Sequence, residues 1–136
     1  MPFPADIRIL IRMCLTHQKL TVKSSRRSRK AIAVNFLIDS GAVYSLVPAK
    51  LLKSLGIQSY KTLEFTLADG TMVTRPVGDT YFEYRGEGGA APVIFGQKGD
   101  EPLLGVTTLE SLALILDPFQ RQPHPLKLVL MASTRR

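Results

Sequence analysis

Hydrophobic residues along this chain fall mostly at every second position or in short unbroken runs, and both patterns are typical of β-strands. The longest run, Ala31–Ile38, contains isoleucine, valine and phenylalanine, and a shorter run, Leu20–Val22, precedes it. A polar, basic segment at 23–30 separates the two. This order predicts two antiparallel strands joined by a loop.

Two β-hairpins are predicted in the middle of the chain. Polar and apolar residues alternate on both sides of Asp69-Gly70, and Asp-Gly between alternating runs is a strong hairpin signal. A second turn is predicted where a cluster of glycines separates two further strand-like runs. The strands and turns are expected at 62–67, 68–70 and 71–78 for the first hairpin, and at 80–84, 86–89 and 92–95 for the second.

Two short helices are predicted from start and stop signals. Pro48 suits a first helical position and Gly56 a helix end, which predicts a helix over 48–55. Thr107–Glu110 has the sequence of a capping box, which predicts a helix that ends near Leu112. Further strands are expected at 43–47, 113–116 and 126–131.

The composition is that of one globular domain. The chain has 136 residues, of which 45% are hydrophobic and 21% charged, and most domains contain ~100–150 residues. The single cysteine, Cys14, excludes an internal disulfide, and His17 and His124 are isolated residues expected in solvated loops, so no metal site is predicted. No apolar run approaches the ~18 residues of a membrane span, and the start lacks a secretory signal pattern. We therefore expect a cytoplasmic protein.

The chain is basic, with a formal net charge of +7. Such a charge raises the possibility of nucleic-acid binding. Much of it is concentrated in the segment 23–30, however, and no aromatic residue is interleaved there to stack on bases. A solvated basic loop is therefore favoured over a nucleic-acid site.

One carboxylate stands apart from the other acidic side chains. Asp39 directly follows the apolar run and enters a Ser-Gly turn. At the end of a buried strand it is expected at the edge of the core, where desolvation disfavours its charged form. Two interpretations stay open, a functional carboxylate or a turn-capping aspartate. The other aspartates adjoin a glycine or a proline and have the pattern of ordinary turn residues: Asp69, Asp79, Asp100 and Asp117.

Four motifs in order resemble the retropepsin-like aspartic proteases, the single-lobe branch of the pepsin clan. An apolar strand leads into Asp-Ser-Gly-Ala, an Asp-Gly hairpin follows where the family has its flap, and Leu-Leu-Gly precedes a helix. Asp39 and Gly105 are 66 positions apart (105 − 39), which is similar to the viral spacing. The segment Phe95–Val106 is similar to the short prokaryotic members. The resemblance covers Leu20–Met131.

The resemblance implies a mostly β, closed barrel-like single lobe of the acid-protease type with one or two short helices. Residues 1–19 would form an N-terminal extension, 20–131 the domain and 132–136 a frayed tail. The chain has one Asp-Ser-Gly sequence, whereas the family's chemistry takes two carboxylates. A homodimer that hydrolyses peptides or proteins without a cofactor is therefore implied.

The residues carried over by resemblance fall into four groups. The catalytic residue is Asp39, and its loop is supported by Ser40, Gly41 and Ala42. The substrate-binding flap contains Ala68, Asp69, Gly70 and Thr71, and the motif beside the active site is Leu103, Leu104 and Gly105.

Two departures from the viral pattern bear on the implied function. Val43 and Val106 stand where the viral enzymes carry an acid and an arginine, and because both partners are missing together, neither leaves an unpaired buried charge. An apolar contact is expected instead. The flap tip also lacks the glycine-rich sequence of the viral flaps. A catalytically weak member of the same fold, serving as a peptide-binding or assembly module, is the alternative.

Overall fold

The computed structural model describes residues 16–39, 41–67, 69–117 and 122–125. Within these ranges the chain is mostly β with two short helices, as predicted. The strands are β1 (Thr16–Lys23), β2 (Ala31–Ile38), β3 (Ser45–Pro48), β4 (Ser59–Thr66), β5 (Met72–Tyr84), β6 (Glu87–Gly96), β7 (Leu103–Leu104), β8 (Leu114–Asp117) and β9 (Gln122–Pro125). The helices are α1 (Ala49–Ser54) and α2 (Val106–Ser111).

Seven strands form one sheet in the order β1-β2-β7-β3-β6-β5-β4. The sheet also closes on itself, because β1 pairs with β5 in addition to β2. We call the closed set of strands β1, β2, β7, β3, β6 and β5 the ring. The predicted antiparallel pair of strands around the basic loop is confirmed as β1 and β2. The remaining strands, β8 and β9, form a separate antiparallel pair.

The long strand β5 takes part in both the closed ring and a hairpin. Its residues 77–84 pair with β6, and Tyr81–Glu83 pair with β1 on the other edge. Its first residues, 72–76, pair only with β4. The paired segments 62–66 and 72–76 therefore extend beyond β6, and we call them the projecting hairpin.

The core lies inside the ring, and strand alternation determines which side chains fill it. On β2 the side chains of Val34, Phe36 and Ile38 are buried, whereas Ala33 and Asn35 are exposed and Leu37 is half-buried. This period of two is what a strand with one buried face requires. Phe36 also packs against Phe82 of β5, with ring centroids 6.0 Å apart.

Strand β7 is only two residues long, but it determines where the end of β2 lies. It is parallel to β2, with Leu37 opposite Leu103 and Ile38 opposite Leu104. On its other side it pairs antiparallel with β3 through Leu46. The segment that joins β2 to β3 must therefore pass around the end of β7.

Several predicted boundaries differ from the structure. β1 begins at Thr16, inside the stretch predicted as an N-terminal extension, and His17 therefore lies in a strand rather than a loop. β5 continues through Gly78 and Asp79, where a break was predicted, because these residues pair with Val93 and Pro92 of β6. The second hairpin turn is correspondingly shorter than predicted, since β6 already begins at Glu87.

The predicted capping box is wrong. Helix α2 begins at Val106 after an extended Gly105, with no side-chain cap. Thr107, the capping residue of the predicted box, lies inside the helix, and its N–H donates to the carbonyl of Val43. The predicted strand 126–131 and tail 132–136 lie outside the described residues. No helix in the described part is long and apolar enough to cross a membrane.

A pair of leucine substitutions tests the position of the core. Leu20 on β1 is 1% exposed, whereas Leu67 at the end of the projecting hairpin is 45% exposed. Leu20→Ala removes buried apolar contacts and should lower the free energy of unfolding by about 2–5 kcal/mol. Leu67→Ala should lower it by about 1 kcal/mol or less. Urea denaturation measures both, and equal effects would contradict this core.

Candidate active site

Asp39 is held by backbone groups of its own turn and of β7. Its Oδ1 accepts a hydrogen bond from the N–H of Gly41 at 2.8 Å, and its carbonyl oxygen accepts one from the N–H of Ala42 at 3.0 Å. The Asp39 N–H donates to the carbonyl of Leu104 at 3.1 Å. The residue is half-buried. This geometry meets the prediction of a carboxylate at the edge of the core.

The loop after Asp39 is bound to the start of helix α2. The N–H of Val106 donates to the carbonyl of Ala42 at 2.8 Å, and the N–H of Thr107 donates to the carbonyl of Val43 at 3.0 Å. These bonds satisfy N–H groups of the first helical turn, which have no partner within the helix. The helix thus receives its N-terminal acceptors from the Asp39 loop, and the loop is held in place by the helix.

A buried polar contact holds β3 against helix α2 beneath the surface of the same loop. Ser45 and Thr108 are completely buried and their hydroxyl groups are hydrogen-bonded to each other. The Ser45 Oγ also accepts a hydrogen bond from the N–H of Gly105 at 2.9 Å. Each of these groups would be costly to bury without a partner.

Gly105 allows two segments of backbone to approach closely. A Cβ atom at this position would lie 2.6 Å from the carbonyl carbon and oxygen of Tyr44 and 2.9 Å from the carbonyl oxygen of Ala42. Both distances are shorter than van der Waals contact. The glycine of the Leu-Leu-Gly motif is therefore required by the packing of β7 against the Asp39 loop.

A groove of about 480 Å³ lies between this loop and the projecting hairpin. Most of its lining side chains are apolar, and the ring of Tyr44 from the loop meets the ring of Phe65 from the hairpin edge-on, with centroids 6.3 Å apart. The lining residues are Gly41, Ala42, Val43, Tyr44, Leu46, Phe65, Thr66, Leu67, Val73, Arg75, Ile94, Gly99, Asp100, Glu101 and Leu103.

The turn of the projecting hairpin is stabilised locally. The N–H of Leu67 donates to the carbonyl of Thr71 at 2.7 Å, and Gly70 adopts a positive φ of 88°. The Asp69 carboxylate accepts a hydrogen bond from the N–H of Thr71 at 2.9 Å. Hydrogen bonds from Thr71 hold the pKa of Asp69 below its ordinary value of 3.8. Asp69 is therefore a turn residue, as predicted.

One end of the groove is charged. Nε of Arg75 donates to Oδ2 of Asp100 at 3.0 Å, and Nη2 donates to Oδ1 at 3.4 Å. Burial raises the pKa of Asp100, but hydrogen bonds from Arg75 and from the N–H of Gln97, together with the charge of Arg75, outweigh it and hold the pKa below its ordinary value of 3.8. These contacts therefore favour the charged form of the Asp100 carboxylate.

The structure brings most of the predicted site residues together. The backbone N–H of Asp39 is bonded to Leu104 of the Leu103–Gly105 motif, whereas Gly41 and Ala42 are bonded to Asp39. Gly41, Ala42 and Leu103 line the groove, but the predicted flap residues Asp69, Gly70 and Thr71 do not. Ser40 and Ala68 lie outside the described residues.

The apolar contact expected between Val43 and Val106 does not connect the loop to the helix. The side chain of Val43 is 65% exposed. The connection is made by the backbone hydrogen bonds of Val43 to Thr107 and of Ala42 to Val106. These bonds hold the loop against the helix without an ion pair.

Sequence patterns did not identify four groove residues that contact one another in pairs: Tyr44, Phe65, Arg75 and Asp100. Tyr44 and Phe65 were assigned only to predicted strands, and Asp100 only to a turn. Their contacts join segments that are far apart in sequence. The one available signal was Arg75, a cation between the apolar residues Val73 and Val77 of an alternating run.

The described residues contain no group of three or more histidine, cysteine, aspartate or glutamate side chains that could hold a metal ion. In the same part of the chain, no lysine, arginine or histidine lies within 4.0 Å of the Asp39 carboxylate. The surroundings of this carboxylate among the described residues thus differ from those of Asp100, which is paired with Arg75.

Comparison with known proteins gives a distant likeness among solved structures. No protein-family model matches the chain, and no curated protein matches it. Among solved structures it is similar to the solution structure of the Simian Foamy Virus (mac) protease, with a TM-score of 0.46 and 20% sequence identity. The match covers 68% of this chain and 92% of that chain. Neither the fold nor the site as described depends on this likeness.

The buried hydroxyl contact below the loop can be tested by a matched pair of serine substitutions. Ser45→Ala leaves the N–H of Gly105 and the hydroxyl of Thr108 without their partner, so the free energy of unfolding should fall by about 1–3 kcal/mol. Ser54 also makes a hydrogen bond, to the carbonyl of Leu51 at 2.7 Å, but it is exposed. Ser54→Ala should cost about 0.5 kcal/mol or less. Thermal unfolding compares the two.

Proposed function

We propose that this protein is an aspartic endopeptidase that acts as a homodimer, with Asp39 of each subunit forming the catalytic pair. The observation that carries the proposal is the placement of one carboxylate in a turn held by β7 and α2, whose following residues, Gly41 and Ala42, line a largely apolar groove. The retropepsin-like character of the chain is part of this proposal. It is supported by the four ordered motifs, three of which contact one another around the end of β2.

The fixed backbone around Asp39 supports a catalytic role. The Asp39 N–H is bonded to β7, and the following residues are bonded to the start of α2. A catalytic group is effective when its position is set before the substrate binds, because no further ordering is then needed. An ordinary turn aspartate would need only the local bond to Gly41, which is present as well.

The requirement for a second subunit follows from the chemistry. One carboxylate, in its charged form, takes a proton from water, while a second, protonated carboxyl donates to the carbonyl oxygen of the peptide. Two carboxyl groups that share a site resist ionising together, which favours this division. The chain has a single Asp-Ser-Gly sequence, so a two-fold dimer supplies the second group.

The groove supports an extended peptide as substrate. The projecting hairpin forms one wall, and the Asp39 loop and β7 form the opposite wall. An extended chain between them can bond through its own backbone, as an added strand does, while apolar side chains such as Tyr44 and Phe65 contact alternate side chains of the peptide. We propose that the hairpin acts as a flap over this peptide and helps to exclude water from the reaction.

Replacement of the proposed catalytic carboxylate gives the most direct test. Asp39→Asn keeps the shape of the side chain but cannot take a proton from water, so cleavage of a broad library of unstructured peptides at pH 4–7 should fall by about 10²-fold or more. Asp79→Asn is the matched control. Asp79 is exposed and accepts a hydrogen bond from Tyr60, and its substitution should leave cleavage unchanged.

The possible outcomes separate the candidate functions. Cleavage that persists in folded, pure Asp39→Asn protein would contradict the Asp39 mechanism. If the wild-type protein cleaves nothing in the library but binds its peptides, the protein is a peptide-binding module instead. Circular dichroism of both variants checks that the fold is retained.

Because the proposed site is shared by two subunits, mixtures of wild-type and variant chains give a further test. An excess of Asp39→Asn chain should lower the activity of a fixed amount of wild-type chain, because mixed dimers contain one carboxylate in place of two. An equal excess of Asp79→Asn chain should raise total activity. Sedimentation should show a species of about 30 kDa (2 × 15.0 kDa). Full activity in a strictly monomeric sample would overturn the homodimer.

A further inference from the structure

The inner face of the projecting hairpin carries a single charge among apolar side chains. Leu63 and Phe65 of β4 lie opposite Arg75 and Val73 of β5. Directly opposite residues share a face of a two-stranded sheet, so these four side chains form one surface. Three are apolar, and the fourth is a guanidinium group that is costly to bury unless it is paired.

The partner of Arg75 belongs to a different part of the fold. Asp100 lies in the segment between β6 and β7, and the two side chains are 19% and 24% exposed. The contact has two points, Nε to Oδ2 and Nη2 to Oδ1. Two-point hydrogen bonds between charged groups are stronger and more directional than a single surface contact. This two-point contact therefore forms only with the hairpin in this position.

Asp100 is itself held firmly in place. Its Oδ2 accepts a hydrogen bond from the N–H of Gln97 at 2.7 Å, and its own N–H donates to the carbonyl of Gln97 at 2.9 Å. Two residues further on, the carbonyl of Pro102 accepts a hydrogen bond from the N–H of Leu37 of β2 at 3.0 Å. Arg75 therefore binds a segment that is anchored to the same strand that ends at Asp39.

The position of Arg75 along β5 gives the contact its importance. Residues 72–76 pair with β4 alone, so no strand of the ring supports this part of the hairpin. Among the described residues, the Arg75–Asp100 contact is the one ion pair between the projecting hairpin and the rest of the chain. The ring of Phe65 adds an apolar contact with Tyr44, which carries no charge and imposes no two-point geometry.

We propose that Arg75 and Asp100 are a positioning pair that holds the projecting hairpin against the groove and thereby sets the affinity for peptide. Neither residue takes part in the chemistry. The tether to the groove depends on the structure alone, whereas its effect on peptide affinity rests on the proposed function.

Hydrogen exchange of the hairpin amides tests the tether without any substrate. Arg75→Met keeps much of the side-chain length but removes the charge, and amides in 62–76 should exchange about tenfold faster, the change expected for losing one charged hydrogen-bonded contact. Asp100→Asn keeps an acceptor for the N–H of Gln97 and should act in the same direction. The double variant should be no worse than Arg75→Met, because the two residues act through one contact.

Lys23→Met provides the matched control. Lys23 forms an ion pair with Glu83 at 2.9 Å, and its side chain is 13% exposed. That contact joins β1 to β5 within the ring and does not line the groove. Its loss should leave hairpin exchange unchanged. Arg75→Lys keeps a charge but loses the two-point contact, so its hairpin amides should exchange at a rate between those of wild-type protein and Arg75→Met. It serves as the test variant if Arg75→Met does not fold.

Peptide affinity provides the second measurement. For cleavage of the same peptide library, Arg75→Met should raise KM about tenfold and change kcat by no more than about twofold, because the hairpin position is lost but Asp39 is not. In the Asp39→Asn background the same substitution should weaken peptide binding by the same factor. A variant that is only destabilised would instead contain less folded protein, so its apparent kcat would fall and its KM would stay the same.

The outcomes of the two measurements are distinguishable. Hairpin exchange that is equal in Arg75→Met, Lys23→Met and wild-type protein would overturn the tether, whatever the cleavage results. Faster exchange with unchanged KM and peptide binding would overturn the role in affinity. If the wild-type protein neither cleaves nor binds peptides, the proposed function and the role in affinity fail together, and the exchange rates alone decide whether the tether exists.

Discussion

The arrangement of the site depends on the close approach of β7 to the loop that follows Asp39. Gly105 has no side chain at a place where a Cβ would lie 2.6 Å from the backbone of Tyr44. Because the two segments are in contact, the backbone of β7 can bind Asp39 and the first turn of α2 can bind Ala42 and Val43. The position of the carboxylate is therefore a result of tertiary packing, although the residues that carry it are local in sequence.

Much of the fold was predictable because strand alternation is a local property. The pair β1 and β2, the Asp-Gly hairpin and helix α1 follow from periodicity and turn residues. The errors have a common cause, which is a tertiary contact that overrides a local signal. β5 continues through Gly78 because that residue is buried against Gln58 and paired with Val93. Helix α2 exists, but Thr107 does not cap it, because carbonyls of the Asp39 loop accept the first N–H groups of the helix.

The candidate site was predictable to the extent that its residues adjoin in sequence. Asp39 was recognisable as the acid at the end of an apolar strand, and its half-buried position agrees with that expectation. Tyr44 and Phe65 could not be paired from sequence, since 21 positions (65 − 44), including β3 and α1, separate them. The bond between Arg75 and Asp100 likewise depends on the path of β6 and β7, which no local pattern determines.

The length of β5 has a mechanical consequence. One end of this strand is clamped in the ring by β6 and β1, and the other end carries the projecting hairpin without a neighbour from the ring. Such a strand is supported at one end only, as a cantilever is, so bending would be concentrated near Val77 and Gly78, where its pairing with β6 begins. Bending there would displace the projecting hairpin as one stiff body against its contact with Asp100, while the ring and the Asp39 turn keep their shape.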